Sequence, residues 1–168
     1  MSRGPFDGSH APSPLRAALG RFATGVTIVT CSDAAGLAAG LTVNSFSALS
    51  LEPPLVLWSL RVESPSLPSF RAARHFAVNV LAEDQLDLAR RFATGSAHKF
   101  DAGRWSPGQT GAPVLAGALA VLECERESAH QQGDHVLFIG AVRHFTAHAG
   151  PALLFQAGRY RRLGDPLS

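Results

Sequence analysis

The apolar positions of this chain change period several times, and each change predicts an element. Leu15, Ala18, Leu19 and Phe22 recur at helical spacing. Ser13 stands where a cap is needed, Pro14 at the first helical position, and Gly25 just past the end. Residues 26–30 are rich in β-branched side chains and read as a strand. Residues 33–36 carry a turn signal, and residues 37–45 return as a second strand, so the pair predicts a hairpin. Pro53 and Pro54 break the chain, and residues 55–60 read as a third, buried strand.

Ser64-Pro65-Ser66 opens a short helix to about residue 73, and residues 76–81 form a fourth strand. Residues 84–93 read as a helix, with acids at its start, Arg90 and Arg91 in its last turn, and Gly95 after it. Residues 95–112 read as one long Gly/Ser-rich loop, a length that suits a functional segment. Residues 119–128 alternate: Ala120, Leu122 and Cys124 share one face, and Glu123, Glu125 and Glu127 the other. A turn at Gln131-Gln132-Gly133 leads into a strand over 136–145, and residues 153–160 are placed to close the sheet. Strands outnumber helices without regular alternation, which disfavours a doubly wound parallel sheet. A mainly β, antiparallel barrel with a few covering helices fits better. Residues 1–13 read as a disordered tail and residues 14–168 as one domain.

Composition narrows the function classes. The chain has 168 residues, 46% of them hydrophobic and 17% charged, enough apolar material for a core. Net charge is +2 with no basic run, so nucleic-acid binding is disfavoured. No apolar run of about 18 residues predicts a membrane span. Cys31 and Cys124 lie far apart, which disfavours a disulfide framework or a zinc site and points to the reducing cytoplasm. The start has no basic region followed by an apolar one, so it does not read as a signal peptide.

Four segments carry candidate chemistry, and each also has an ordinary structural reading. Thr42, Val43, Asn44 and Ser45 end an apolar strand with groups suited to the polar edge of a flat heterocycle, or simply with turn chemistry. Ser59, Ser64 and Ser66 precede a helix and suit a phosphate, or form an N-cap. In the long loop, Lys99 suits a phosphate and Phe100 would pin the loop, though an exposed lysine is commonly just solvated. At Gly133-Asp134-His135, Asp134 is placed to orient His135 so that it points a donor into a site, or the segment is only a hairpin corner. No Rossmann fingerprint, P-loop or nucleophile elbow is present.

In order and spacing, a longer series resembles the short-chain flavin reductases, the reductase components of two-component flavin monooxygenases. It begins with Phe22-Ala23-Thr24-Gly25-Val26-Thr27, residues 40–46, and Ser50-Leu51-Glu52-Pro53-Pro54-Leu55-Val56. It continues through Ser64-Pro65-Ser66, Phe76-Ala77-Val78-Asn79-Val80-Leu81, and Phe92-Ala93 with Lys99-Phe100. Gly111-Ala112-Pro113-Val114-Leu115, Gly133-Asp134-His135 and Gly158-Arg159-Tyr160 complete it. The resemblance implies a six-stranded Greek-key split barrel that works as a homodimer, with flavin near the subunit interface. It implies FMN or FAD as flavin, NADH or NADPH as hydride donor, and a monooxygenase as transient partner. Residues 42–46 would lie along the isoalloxazine. Ser59, Ser64 and Ser66 would surround the ring edge and ribityl phosphate, with Lys99 and Phe100 near the phosphate. His135 would hold the nicotinamide, with Tyr160 near the same pocket. A split-barrel flavin binder without reductase activity is the alternative.

Overall fold

The computed structural model describes residues 14–167; the predicted cap Ser13 and the predicted tail lie outside them. Helix α1 (Pro14–Leu19) is followed by β1 (Thr24–Gly25), β2 (Thr27–Ser32) and β3 (Ala38–Val43). Strands β4 (Ser47–Leu51) and β5 (Pro54–Arg61) form a hairpin, and α2 (Leu67–Ala72) leads to β6 (His75–Val80). A 3₁₀ turn (Glu83–Gln85) runs into α3 (Leu86–Phe92), and another (Lys99–Asp101) precedes β7 (Trp105–Pro107) and β8 (Pro113–Leu115). The chain ends in β9 (Ala120–Gln132), β10 (His135–Ala147), β11 (Leu154–Gln156) and β12 (Arg159–Arg161).

Seven strands make one sheet in the order β3-β2-β6-β9-β10-β5-β4, antiparallel throughout. Its two edges, β3 and β4, are neighbours in sequence, yet no ladder joins them among the described residues. The barrel is therefore split at this seam. Six strands put buried side chains into one core; β4 buries none and adds a seventh strand at the edge. The sheet must curl to bring them together. Trp58 of β5 stacks on Phe138 of β10 with centroids 4.6 Å apart and meets Phe70 of α2 edge-on at 4.9 Å. Such pairs add about 0.5–1.5 kcal/mol each beyond the area they bury.

Strands β2 and β6 are buried on both faces. Val29 and Val78 enter the barrel core, while Ile28 and Ala77 face a second cluster under α3 and β8. That outer layer is fastened by polar groups. Asn79 Nδ2 donates to the carbonyl of Ile28 at 3.0 Å, and its Oδ1 accepts from Leu115 N at 2.8 Å. Thr30 Oγ1 donates to the carbonyl of Pro113. Buried amides and hydroxyls without partners would be costly, so these bonds fix where the outer layer sits.

Several sequence expectations are corrected. Helix α1 stops at Leu19, with Gly20 N donating to the carbonyl of Arg16; Gly25 belongs to β1 and pairs with Leu154. The helix's apolar residues do not enter the core: Leu19 is 67% and Phe22 79% exposed. Strand β3 ends at Val43, which leaves Asn44 and Ser45 in the bend beyond it. Strand β4 is not legible in the apolar pattern because its side chains stay largely exposed. The expected long loop holds a 3₁₀ turn and β7, which pairs with β8. Glu123 lies on the face opposite Cys124, as its spacing implies, and is buried there: its carboxylate accepts from Thr110 N and Oγ1 at 2.8 and 2.9 Å. Strands β11 and β12 do not close the barrel but form a three-stranded sheet with β1.

Candidate functional site

A cavity of about 490 Å³ opens at the seam, lined by residues 41–45, Ser59, Leu60, Arg61, Glu63, Ser64 and His135. A second, of about 260 Å³, is lined by Gly40, Ser66, Ser69, Lys99 and Phe100 with their neighbours. Gly40 of one adjoins Leu41 of the other, and Pro65 adjoins Ser64, so the two cavities abut along β3 and the 64–66 segment.

The seam is held rigid by hydroxyls expected to meet a ligand. Ser45 Oγ donates to the carbonyl of Ser59 and accepts from Ser59 N, both at 3.0 Å. Thr42 Oγ1 donates to the carbonyl of Ala89 at 2.6 Å, tying β3 to α3. Ser64 Oγ accepts from Ser66 N at 3.3 Å, and Ser66 makes no side-chain cap on α2. The Thr42 and Ser45 hydroxyls thus shape the groove and are engaged within the protein. Asn44, at the bend, makes no side-chain hydrogen bond among the described residues.

At the smaller cavity, the chain's only lysine, Lys99, donates from Nζ to the carbonyl of Gly40 at 3.1 Å. Burial pushes its pKa below the ordinary lysine value. Phe100 packs edge-on against Phe92 at 5.0 Å and against Trp105 at 5.1 Å. It therefore anchors the loop, as the sequence reading expects. Gly40 makes this packing possible: a Cβ there would lie 2.9 Å from the Phe92 ring and 3.1 Å from the Phe100 ring.

His135 opens β10, and Gly133, with φ of 60°, provides the turn before it. Its Nδ1 lies 2.8 Å from Asp134 Oδ1. That hydrogen bond and the histidine's charge hold the Asp134 carboxyl below the usual carboxylate range. With Nδ1 engaged by Asp134, Nε2 is the ring nitrogen left to face a ligand. Tyr160 lines an adjoining cavity of about 170 Å³ with Val26, Ala93 and Phe155, and Thr42 and Asn44 line both that cavity and the main one. Arg61 and Glu63 line the main cavity beside His135 and are missed by the sequence reading. The two-residue period of β5 places Arg61 on the same face as Ser59, a signal that was available.

Neither cysteine supplies chemistry. Burial pushes the thiols of Cys31 and Cys124 up to about 12, so neither is a thiolate near neutrality. No group of three or more metal-ligating side chains occurs among the described residues. No helix among them is long and apolar enough to cross a membrane.

The fold is thus a split barrel with two neighbouring cavities at its seam, one lined by polar groups of β3 and β5 and the other by Lys99. The chain belongs to the flavin reductase like domain family, which matches residues 19–164, and is an oxidoreductase of the flavin-reducing class. It is 43% identical over 155 residues to the FMN reductase (NADH) SmoA of Agrobacterium fabrum, covering 92% of this chain and 88% of that protein. It is 39% identical over 152 residues to HsaB of Mycobacterium tuberculosis, the reductase subunit of a flavin-dependent monooxygenase, covering 89% and 81%. Among solved structures, the NADH:FAD oxidoreductase SgcE6 of Streptomyces globisporus, in complex with NAD and FAD fragments, superposes with a TM-score of 0.87. It is 39% identical, covering 94% of this chain and 98% of that one.

Proposed function

We propose that this chain transfers hydride from NADH or NADPH to FMN or FAD held in the seam, and that its homodimer passes reduced flavin to a separate monooxygenase in the cytoplasm. The observation that carries this reading is the abutting pair of cavities. One has a lining suited to a ring edge, and the other presents the Lys99 ammonium and the hydroxyls of Ser66 and Ser69. Leu41, apolar and only partly buried, suits the ring face, and a phosphate suits the cationic end. The residues therefore fit a flavin.

A flavin held there would supply the hydride-accepting redox chemistry, which is the cofactor's own. The protein's part is placement. The paired bonds between Ser45 and Ser59 fasten the 44–46 bend to β5 before any ligand arrives, so little reorganisation is left for binding. Lys99 holds a phosphate with a charge-assisted bond. His135, held by Asp134, presents Nε2 to the carboxamide of a nicotinamide. No residue is required to move a proton.

Three features support the assembly and its setting. Leu19 and Phe22 are apolar and exposed among the described residues, and a second copy would bury them. HsaB is by name a subunit working with a monooxygenase. Buried, unpaired Cys31 and Cys124 suit a reducing compartment. The test is to mix the protein with each flavin and each nicotinamide and follow absorbance at the nicotinamide band. Flavin-dependent loss of the band is expected; its absence with every pairing overturns the reading.

A further inference from the structure

We propose that Arg61 binds the diphosphate of the incoming dinucleotide and that Glu63 beside it selects against a 2′-phosphate, so that the cavity takes NADH in preference to NADPH. This inference rests on the hydride-transfer reading above and adds the choice of donor.

Among the described residues that line the main cavity, Arg61 is the only lysine or arginine. It faces His135 directly across the β5–β10 ladder, and opposite residues in such a ladder stand about 5 Å apart. Val62 N donates to the carbonyl of Asp134 at 2.9 Å, so the turn carrying His135 is tied to the segment carrying Arg61. Paired backbone, rather than a free loop, thus fixes the spacing of the two side chains. In a nicotinamide dinucleotide the diphosphate is one ribose away from the nicotinamide. If the ring sits at His135, the cation beside it is the one the diphosphate meets. A guanidinium suits that group because its fork engages two oxygens at once.

The surroundings of Arg61 set the selectivity. Glu63 Oε2 lies 3.5 Å from Arg61 Nη2, and Asp134 is bonded to His135. Among the described residues, the rim therefore carries one guanidinium against two carboxylates, with no second lysine or arginine in the cavity lining. A diphosphate finds one partner there. An additional phosphate on the adenosine ribose finds none and adds negative charge near Glu63. The Glu63 side chain is 81% exposed, so the repulsion is moderate and salt-sensitive.

The test compares wild type, Arg61→Ala and Glu63→Lys. It reads kcat and KM for NADH and NADPH, and dissociation constants for NAD⁺ and NADP⁺ by calorimetry. Both side chains are exposed, and circular dichroism confirms that the variants fold. Arg61→Ala is expected to raise KM and both dissociation constants about tenfold, with the loss falling on KM rather than kcat. Glu63→Lys is expected to raise the NADPH-to-NADH ratio of kcat/KM about tenfold at low salt, an effect that shrinks at roughly 0.5 M salt as screening tightens. A ratio within twofold of wild type in Glu63→Lys, or NAD⁺ binding indifferent to Arg61, overturns the inference. NAD⁺ binding that depends on Arg61 in a protein that oxidises neither nucleotide supports this site and sinks only the reductase reading.

Discussion

The Nζ of Lys99 and the carbonyl oxygen of Gly40 are joined by a 3.1 Å hydrogen bond that fastens the 95–101 segment to the edge strand β3. One ammonium thereby both closes the fold over α3 and faces the cavity proposed for a phosphate. Lys99→Ala should raise the flavin dissociation constant by about tenfold, the scale of one charge-assisted bond. Fluorescence titration reads this directly, and an unchanged constant removes Lys99 from the site.

The same lysine sets a pH dependence. Its pKa is lowered by burial, and the phosphate binds the ammonium form. Flavin affinity should therefore hold below that lowered pKa and fall as pH rises through it, earlier than an ordinary lysine would allow. Titrations between neutral pH and pH 10 in wild type and Lys99→Arg test this, because the arginine variant should lose the early fall.

His135→Ala should raise KM for the nicotinamide about tenfold and leave flavin affinity within twofold, since it removes one orienting group at the cavity rim. Equal losses in kinetics and in flavin titration would mean that the residue supports the turn rather than the nicotinamide.

Gly40→Ala tests the packing beneath the groove. The added methyl would crowd the Phe92 and Phe100 rings at 2.9 and 3.1 Å. Overpacking of this kind costs about 1–3 kcal/mol, measurable by denaturant unfolding. A variant as stable as wild type would show that the rings yield freely.

Replacing both Leu19 and Phe22 by Asp should convert the proposed dimer to a monomer in sedimentation, because the change places two charges where exposed apolar side chains stand. A sedimentation coefficient equal to that of wild type excludes this face from the interface.

Much of the architecture is legible in local pattern. Residues 26–30 and 76–81 announce strands through β-branched and apolar runs, and both are buried on two faces because a second layer covers them. Strand β4 escapes notice because an edge strand needs no buried alternation. Glu123 misleads in the opposite direction: it occupies the face away from the barrel core, but the 108–112 segment lies over that face and supplies its hydrogen-bond donors.

By itself the sequence determined the strand-rich class, the turns at Gly36 and Gly133, and the family-bearing run of motifs, because period and backbone freedom are local properties. Tertiary structure alone decided which groups meet. It engaged the Thr42 and Ser45 hydroxyls as braces within the protein, put Tyr160 on a cavity that shares Thr42 and Asn44 with the main one, and set Arg61 opposite His135 across a ladder between strands far apart in the chain. Contacts between residues so distant along the chain depend on sheet register and curl, which no local spacing records.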